Sequence, residues 1–157
     1  MSTEQLRERL EAAARAFQKA ADAPVSLPQL GLFARATTFL ADTWKDWRHA
    51  TGIELSDAEQ GVKDTFSVIY RLAQATGSDE LIEEYTRDLV ALTNELTAIK
   101  EEKLRRREGA YTPITDAIKA AAGDLKKAKE RADELAEALG IAADLLAGFT
   151  KFLKAFG

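Results

Sequence analysis

The residue types that most often carry catalysis are scarce in this sequence. Its 157 residues include one histidine, His49, and no cysteine, which excludes disulfides, thiolate metal sites and cysteine nucleophiles. Asp46 and His49 stand at i and i+3, so both could reach one metal ion, but helical di-metal sites use two Glu-x-x-His pairs. We therefore expect no metal and no cofactor, and interpret His49 as a residue near the C-terminal end of a helix.

Serine and carboxylate chemistry is supported no better. Most of the five serines stand where helix N-caps are expected, and Ser67, which does not, lacks the Gly-x-Ser-x-Gly elbow of a nucleophile. The carboxylate pairs Glu83-Glu84 and Glu101-Glu102 lie beside the apolar stripe of their helix, where they are expected to be solvated. Acid-base catalysis at neutral pH needs burial or a close like charge. We predict that the protein is not an enzyme.

Charge and hydropathy exclude further classes. The net charge is −4, from 22 basic and 26 acidic residues, which argues against a surface that neutralises many phosphates of a nucleic acid. No stretch of 18 residues lacks a charge, and the first residues are polar, so neither a transmembrane segment nor a signal peptide is expected. We therefore expect a cytoplasmic protein, with export by a signal-independent route left open.

Helices are expected along almost the whole chain. Proline occurs only at positions 24, 28 and 113, and apolar residues recur at alternating steps of three and four. The predicted fold class is all-α, an antiparallel bundle of about five helices that ends in a long, coiled-coil-like helical hairpin. The chain is interpreted as one domain, 1–157, in which 1–77 form a three-helix part and 78–157 form the hairpin with an apolar C-terminal extension.

Cap residues place the boundaries of these helices. The five helices are expected at about 3–22, 26–52, 56–76, 79–108 and 113–156. The boundaries rest on Ser26 as a cap, Ser56 with Glu59 as a capping box, Gly77 as a left-handed residue after the third helix, Ser78 as the next cap, and Thr112 with Pro113 at the start of the fifth.

The fourth helix carries a strict heptad stripe of Ile82, Tyr85, Leu89, Leu92, Leu96 and Ile99. A connection of about three residues should bring the fifth helix back antiparallel, with facing residues whose numbers sum to about 221, such as Tyr85 and Ala136. Residues 143–157 then have no partner within the hairpin. Gly61, Gly123 and Gly148 fall inside helices, where close helix approach is the favoured interpretation and a hinge is the alternative.

Two groups of residues are candidates for binding. The first is the C-terminal apolar face, formed by Leu145, Phe149, Phe152, Leu153 and Phe156. Three arrangements are expected for this face: it packs on the first three helices, the chain kinks at Gly140 and folds back, or the face meets a molecule outside the chain. The second is the basic tip of the hairpin, formed by Lys103, Arg105, Arg106 and Arg107. Trp44 and Trp47 share a face and are interpreted as core residues.

These patterns indicate a non-catalytic helical interaction protein, such as an adaptor, an immunity-type or chaperone-like inhibitor, or an assembly subunit. We expect it to bind a partner protein, or a second copy of itself, through the hairpin or the C-terminal helix. The alternative is a membrane-active or lipid-associated protein whose C-terminal helix, flanked by Lys151 and Lys154, lies on a membrane surface.

Overall fold

The computed structural model describes residues 2–24, 53–106 and 109–156. Within these ranges the chain is an all-α bundle, as predicted, of five α-helices and a final short 3-10 turn. The elements are α1 (Thr3–Asp22), α2 (Leu55–Ala75), α3 (Asp79–Arg106), α4 (Asp116–Leu139), α5 (Ala143–Leu153) and the turn Lys154–Phe156. The predicted helix 26–52, which includes Trp44, Asp46, Trp47 and His49, lies outside the described residues.

The helices α1, α2 and α3 form the centre of the bundle. Thr3 bonds Asp79 at one end of α1 and Lys100 bonds Ala20 at the other, so α1 and α3 run parallel. The stripes predicted for these three helices are buried, apart from Ala20 of α1, which is half-buried. The buried members are Leu6, Leu10, Ala13 and Phe17 on α1; Val62, Phe66, Ile69 and Ala73 on α2; and all six heptad residues on α3. Helix periodicity was thus sufficient to identify the central core.

Basic side chains from neighbouring helices satisfy the carbonyl groups at three helix ends. At the end of α2, Arg7 donates to the carbonyl oxygens of Ala73, Gln74 and Thr76. At the end of α1, Lys100 donates to those of Ala20, Ala21 and Ala23. At the end of α4, Arg71 donates to that of Leu139. The prediction of a left-handed Gly77 is wrong: in the described part of the chain only Gly109 and Gly140 have a positive φ. Arg7 binds the carbonyl groups that a glycine turn would otherwise satisfy.

The start of α2 also differs from the prediction. The helix begins at Leu55 without a side-chain cap, so the expected capping box at Ser56 is wrong. Instead, the N–H of Leu55 donates to the carbonyl of Gly109 at 2.8 Å, and the N–H of Tyr111 donates to that of Ile53 at 2.6 Å. This short antiparallel bridge satisfies the backbone and ties the segment after α3 to the start of α2. The cap at Ser78 is confirmed, because its Oγ accepts from the N–H of Leu81.

The α3–α4 hairpin forms in a different register from the predicted one. Its connection includes residues 109–115 and so exceeds the predicted three residues, and Thr115 rather than Thr112 caps α4. The connection returns along α3 as far as Glu95, which bonds the N–H groups of Ile114 and Thr115. Tyr85 therefore lies beside Arg131 instead of Ala136. The bridge to α2 explains the difference, since it holds the connection away from a tight turn.

The C-terminal segment folds back on the bundle. Gly140 adopts the left-handed conformation, with φ 65° and ψ 36°, and ends α4, so the fifth predicted helix is two helices. The helix α5 packs antiparallel against α2, with Lys151 at 3.1 Å from Asp57. A Cβ added to Gly61 would lie 2.9 Å from the Cβ of Phe152, and one added to Gly148 would overlap Asp64. Close helix approach is confirmed at both glycines, whereas Gly123 has open space around its Cα.

Candidate functional site

The C-terminal apolar face lies mostly inside the bundle. Phe149 and Phe152 have no exposed surface, while Leu145, Leu153 and Phe156 are partly buried. The ring of Phe152 packs against Tyr111, with their centroids 6.0 Å apart. The interpretation of this face as a docking surface is therefore corrected for its two central residues: packed in this way, they offer no area to a partner or a membrane.

The basic residues at the end of α3 are paired with carboxylates. The ion pairs are Lys103–Glu59 at 2.8 Å, Arg105–Glu102 at 2.6 Å and Arg106–Glu102 at 3.3 Å. Arg106 also donates to the carbonyl of Ala110, and Arg107 lies outside the described residues. Each of the three described cations is therefore paired within the chain, with two carboxylates for three positive charges.

A groove of about 490 Å³ runs between α1 and α2 and is lined partly by the stacked rings of Phe17 and Phe66. Ser67, which also lines it, donates its hydroxyl to the carbonyl of Lys63, the residue one turn earlier. The hydroxyl of Tyr70 donates to Glu11, and burial followed by this bond raises the pKa of Tyr70. The hydroxyl of Ser67 is thus held by the backbone of its own helix, and that of Tyr70 joins α2 to α1.

Glu95 fixes the start of α4 against α3. Its side chain is fully buried and accepts hydrogen bonds from the hydroxyl of Tyr111, from the N–H of Ile114 at 2.8 Å and from the N–H of Thr115 at 2.9 Å. Burial, and then the charge of Glu95, raises the pKa of Tyr111 well above its usual value. Because these bonds anchor α4, they set which of its residues lie opposite the first half of α3.

That register brings three carboxyl groups together between α3 and α4. Glu84 and Asp88 stand one turn apart on the same side of α3, and Asp124 projects from α4. One side-chain oxygen from each residue lies within 4.8 Å of the other two. We call these three residues the acidic cluster; it is the one such group of three potential metal ligands that residues 2–24, 53–106 and 109–156 contain.

Asp88 is the unusual member of the acidic cluster. It is 2% exposed, and its Oδ2 atom has no hydrogen-bond partner. Burial, then the charges of Asp124 and Glu84, raises the pKa of Asp88 to about 7, while Arg87 and Arg131 act in the opposite direction. Buried polar atoms in proteins are nearly always bonded, so the unbonded oxygen of Asp88 is an exception that calls for an explanation.

Arg131 flanks the acidic cluster on α4. Its Nη1 atom is 3.4 Å from the hydroxyl of Tyr85 and 3.8 Å from Oε1 of Glu84, and its guanidinium lies 5.9 Å from the centroid of the tyrosine ring. The bond to Tyr85 is the main cause that raises the pKa of Arg131. The arginine is thereby held at the edge of the cluster instead of bonding Asp88.

A shallow groove of about 220 Å³ continues from the acidic cluster along the outside of the hairpin. Its lining residues are Arg87, Asp88, Val90, Ala91, Ala117, Ala120, Ala121 and Asp124. Val90 is 48% exposed and Leu135, further along α4, is 44% exposed; no other large apolar side chain in the described part of the chain is as open. Leu135 is not among the lining residues; we call the groove, taken together with Leu135, the hairpin groove.

Sequence reasoning missed the two buried carboxyl groups. Carboxylates beside the stripe of α3 were expected to be solvated, yet Asp88 and Glu95 are 2% and 0% exposed. They stand seven residues apart, each directly before a stripe leucine, so they occupy one position of the heptad. That repeated acidic position was the available signal, and it becomes buried because α3 packs on α1, α2 and α4.

Comparisons with known proteins do not assign this surface to a function. No family model matches the chain, and neither a curated protein nor a solved structure was found to be significantly similar to it. Among the described helices, none combines the length and the apolar composition that crossing a membrane requires.

Proposed function

We propose that this protein is a non-catalytic helical interaction protein that binds another protein along the hairpin groove. The observation that carries the proposal is the position of its exposed apolar side chains. Val90 and Leu135, the two large apolar residues left most open in the described ranges, both belong to the hairpin. Exposed apolar side chains that frame a groove are typical of protein-binding surfaces.

The lining residues and Leu135 together extend over the length of one partner helix. Leu135 stands two heptads after Ala121 and thus on the same side of α4, about 21 Å further along the axis. A partner helix of about four turns spans that distance. Alanines at 117, 120 and 121 form part of the surface, and their short side chains allow the partner's backbone to approach closely.

The polar residues of the groove define what the partner must present. Between the two apolar ends lie the acidic cluster and the arginines Arg87 and Arg131. A partner helix that matches this surface has apolar residues near its two ends and polar or charged residues at its centre. The mixed charge favours a specific partner over nonspecific apolar adhesion, because a wrong pairing leaves desolvated charges without partners.

Site-specific cross-linking tests the proposal. A photoreactive residue at Val90 or Leu135 should capture the partner in an extract of the native host, whereas one at the exposed Ala12 of α1 should not. The captured protein is then purified and titrated against Val90→Glu and Leu135→Glu by calorimetry. Each substitution should weaken binding at least about tenfold, because it places a charge at an apolar contact.

Light scattering decides whether the partner is a second copy of the chain. A dimer that Val90→Glu dissociates identifies the groove as a self-association surface. A partner whose affinity is unchanged in both groove variants, and reduced by Ala12→Glu instead, contradicts the proposal. Circular dichroism of each variant confirms that the substitutions at these exposed positions leave the helices intact.

A further inference from the structure

The acidic cluster has the features of a ligand site rather than of a structural network. A structural carboxylate at 2% exposure would be bonded on both oxygens, as the side chain of Glu95 is. Asp88 instead leaves Oδ2 without a partner, at a position that also holds oxygens of Glu84 and Asp124 within 4.8 Å. Three acceptor groups therefore converge, and Arg131 pairs with only one of them, Glu84, at 3.8 Å.

We propose that Glu84, Asp88 and Asp124 bind a calcium ion between α3 and α4. Calcium takes six to eight oxygen ligands at about 2.3–2.6 Å, so oxygens on opposite sides of one ion are up to about 5 Å apart. The spacing of the three carboxyl oxygens falls within that span. Magnesium requires distances of about 2.0–2.1 Å and near-ideal octahedral geometry, which three side chains from two separate helices satisfy less readily.

The surroundings of the cluster suit a site that is completed by water. The hairpin groove opens beside Asp88 and Asp124, and Glu84 is 21% exposed at its side chain. Water in the groove supplies the remaining ligands, as at calcium sites with few protein oxygens. The two helices also keep the carboxylates apart without the ion, because the bonds of Glu95 fix their register.

The acidic cluster carries one negative charge more than the basic side chains that face it. The three carboxylates face two cations, Arg87 on α3 and Arg131 on α4. Arg131 approaches Glu84 no closer than 3.8 Å and bonds Tyr85, so it reduces the negative potential of the cluster without bonding Asp88. A bound calcium ion would supply the missing partner of Oδ2 directly.

Calorimetric titration with calcium chloride in chelator-treated buffer at pH 7.5 tests the site. One ion per chain is expected to bind with a dissociation constant of about 10⁻⁴ M, and 10 mM calcium is expected to raise the melting temperature by about 5 °C. Asp124→Asn and Glu84→Gln should each weaken binding at least about tenfold. Both residues are only half-buried, so these variants should remain folded. Asp88→Asn changes a buried side chain and is therefore a weaker test of binding.

Two matched variants separate a built site from general attraction to an acidic surface. Asp133→Asn removes the same charge from an exposed position on the same helix, where the side chain pairs with Lys129, and should leave calcium affinity unchanged. Arg131→Gln removes a competing positive charge and should tighten binding about three- to tenfold. A purely structural role of these side chains predicts no gain of affinity in Arg131→Gln.

Three results would overturn the proposal. The first is no calcium binding at millimolar concentration by the wild-type protein, and the second is equal loss of binding in Asp124→Asn and Asp133→Asn. The third is magnesium binding as tight as calcium binding, which the oxygen spacing does not favour. Because none of these measurements involves the partner of the hairpin groove, their outcome is independent of the proposed function.

Discussion

Two antiparallel helix pairs in this bundle are held together by opposite means. The α2–α5 pair meets at Gly61 and Gly148, and its large residues Phe149 and Phe152 are completely buried. The α3–α4 pair meets through buried alanines of α4, while α3 contributes the buried carboxyl groups of Asp88 and Glu95. The first interface depends on close apolar packing, whereas the second adds buried polar groups, only some of which are bonded, to its apolar residues.

The two helix pairs also differ in what they leave exposed. Apolar packing at α2–α5 leaves the central phenylalanines no exposed area, so the most hydrophobic part of the sequence serves the core. The hairpin is less apolar, yet it carries Val90, Leu135 and an unbonded carboxyl oxygen at its surface groove. Both proposals therefore concern the helix pair whose polar groups are incompletely bonded and whose apolar side chains are partly exposed.

Truncation of a phenylalanine at α2–α5 should have the largest effect on stability. Phe152→Ala removes a fully buried ring that contacts Tyr111 and Phe156, and we expect it to lower the free energy of unfolding by about 3–5 kcal/mol. The matched change in the hairpin, Leu135→Ala, should cost less than about 1 kcal/mol because that side chain is 44% exposed. Urea denaturation measures both.

The comparison also tests whether the C-terminal segment belongs to the core in solution. If α5 leaves the bundle to bind a partner or a membrane, Phe152→Ala will cost no more stability than Leu135→Ala. Equal effects in the two variants would therefore contradict the packing of α5 on α2.

The helices were predictable because each depends on local periodicity and local caps. The predicted ranges 3–22 and 79–108 differ from α1 and α3 by at most two residues, since Ser2 and Ser78 cap them through bonds within one turn. Boundaries controlled by distant residues were not predictable. The start of α2 depends on Gly109, and its end depends on Arg7, which stands more than 60 residues earlier in the chain.

The candidate site depended on contacts of the same distant kind. The hairpin register follows from the bonds that Glu95 makes with Ile114 and Thr115, and only this register brings Asp124 to Asp88. The apolar stripe did not determine the register of the hairpin, because alanines at several positions along α4 fit equally well against α3. The stripe did identify the C-terminal apolar face, but periodicity alone does not distinguish a core surface from a docking surface.

Neutralising Glu95 should loosen the polar interface. Glu95→Gln keeps the size of the side chain but leaves one acceptor oxygen for three donors, and it places an N–H group against another donor. We expect a loss of about 3 kcal/mol in the free energy of unfolding, because the bonded group is fully buried. Glu137→Gln at an exposed position of α4 is the control, and a loss no larger than its own would argue against the anchoring role of Glu95.

Asp88 should make the stability of the hairpin depend on pH. Its pKa is about 7 in the folded protein against an ordinary value of 3.8. Between these values the folded state binds one more proton than the unfolded state, so stability falls as the pH rises and the loss is complete above about pH 7. The expected loss of stability is about 2–3 kcal/mol. This is less than the free energy equivalent to a shift of three full pKa units, because the groove beside Asp88 admits solvent.

The variant Asp88→Asn isolates this effect. Its amide resembles the protonated acid and can donate to Asp124 or Glu84, so its advantage in stability over the wild-type protein should be smaller at pH 5 than at pH 8. Urea denaturation in chelator-treated buffer at both pH values gives the difference, and Asp133→Asn controls for the change in net charge. Parallel pH profiles of wild type and Asp88→Asn would show that the group does not titrate in this range.

The smallest effect separates the glycines of the two interfaces. Gly61→Ala gains helix propensity but places a methyl group 2.9 Å from the Cβ of Phe152 and 3.3 Å from the carbonyl oxygen of Gly148, so we expect a net loss of about 1–2 kcal/mol. Gly123→Ala on α4 meets no atom within 4 Å and should gain about 0.5–1 kcal/mol from propensity alone. Thermal denaturation should therefore show a loss of stability in one variant and a gain in the other. This result is expected only if α2 and α5 are in direct backbone contact while this face of α4 is open. A gain in both variants would mean that α5 can move away from α2 at little cost, and the contrast between the two helix pairs would then not hold in solution.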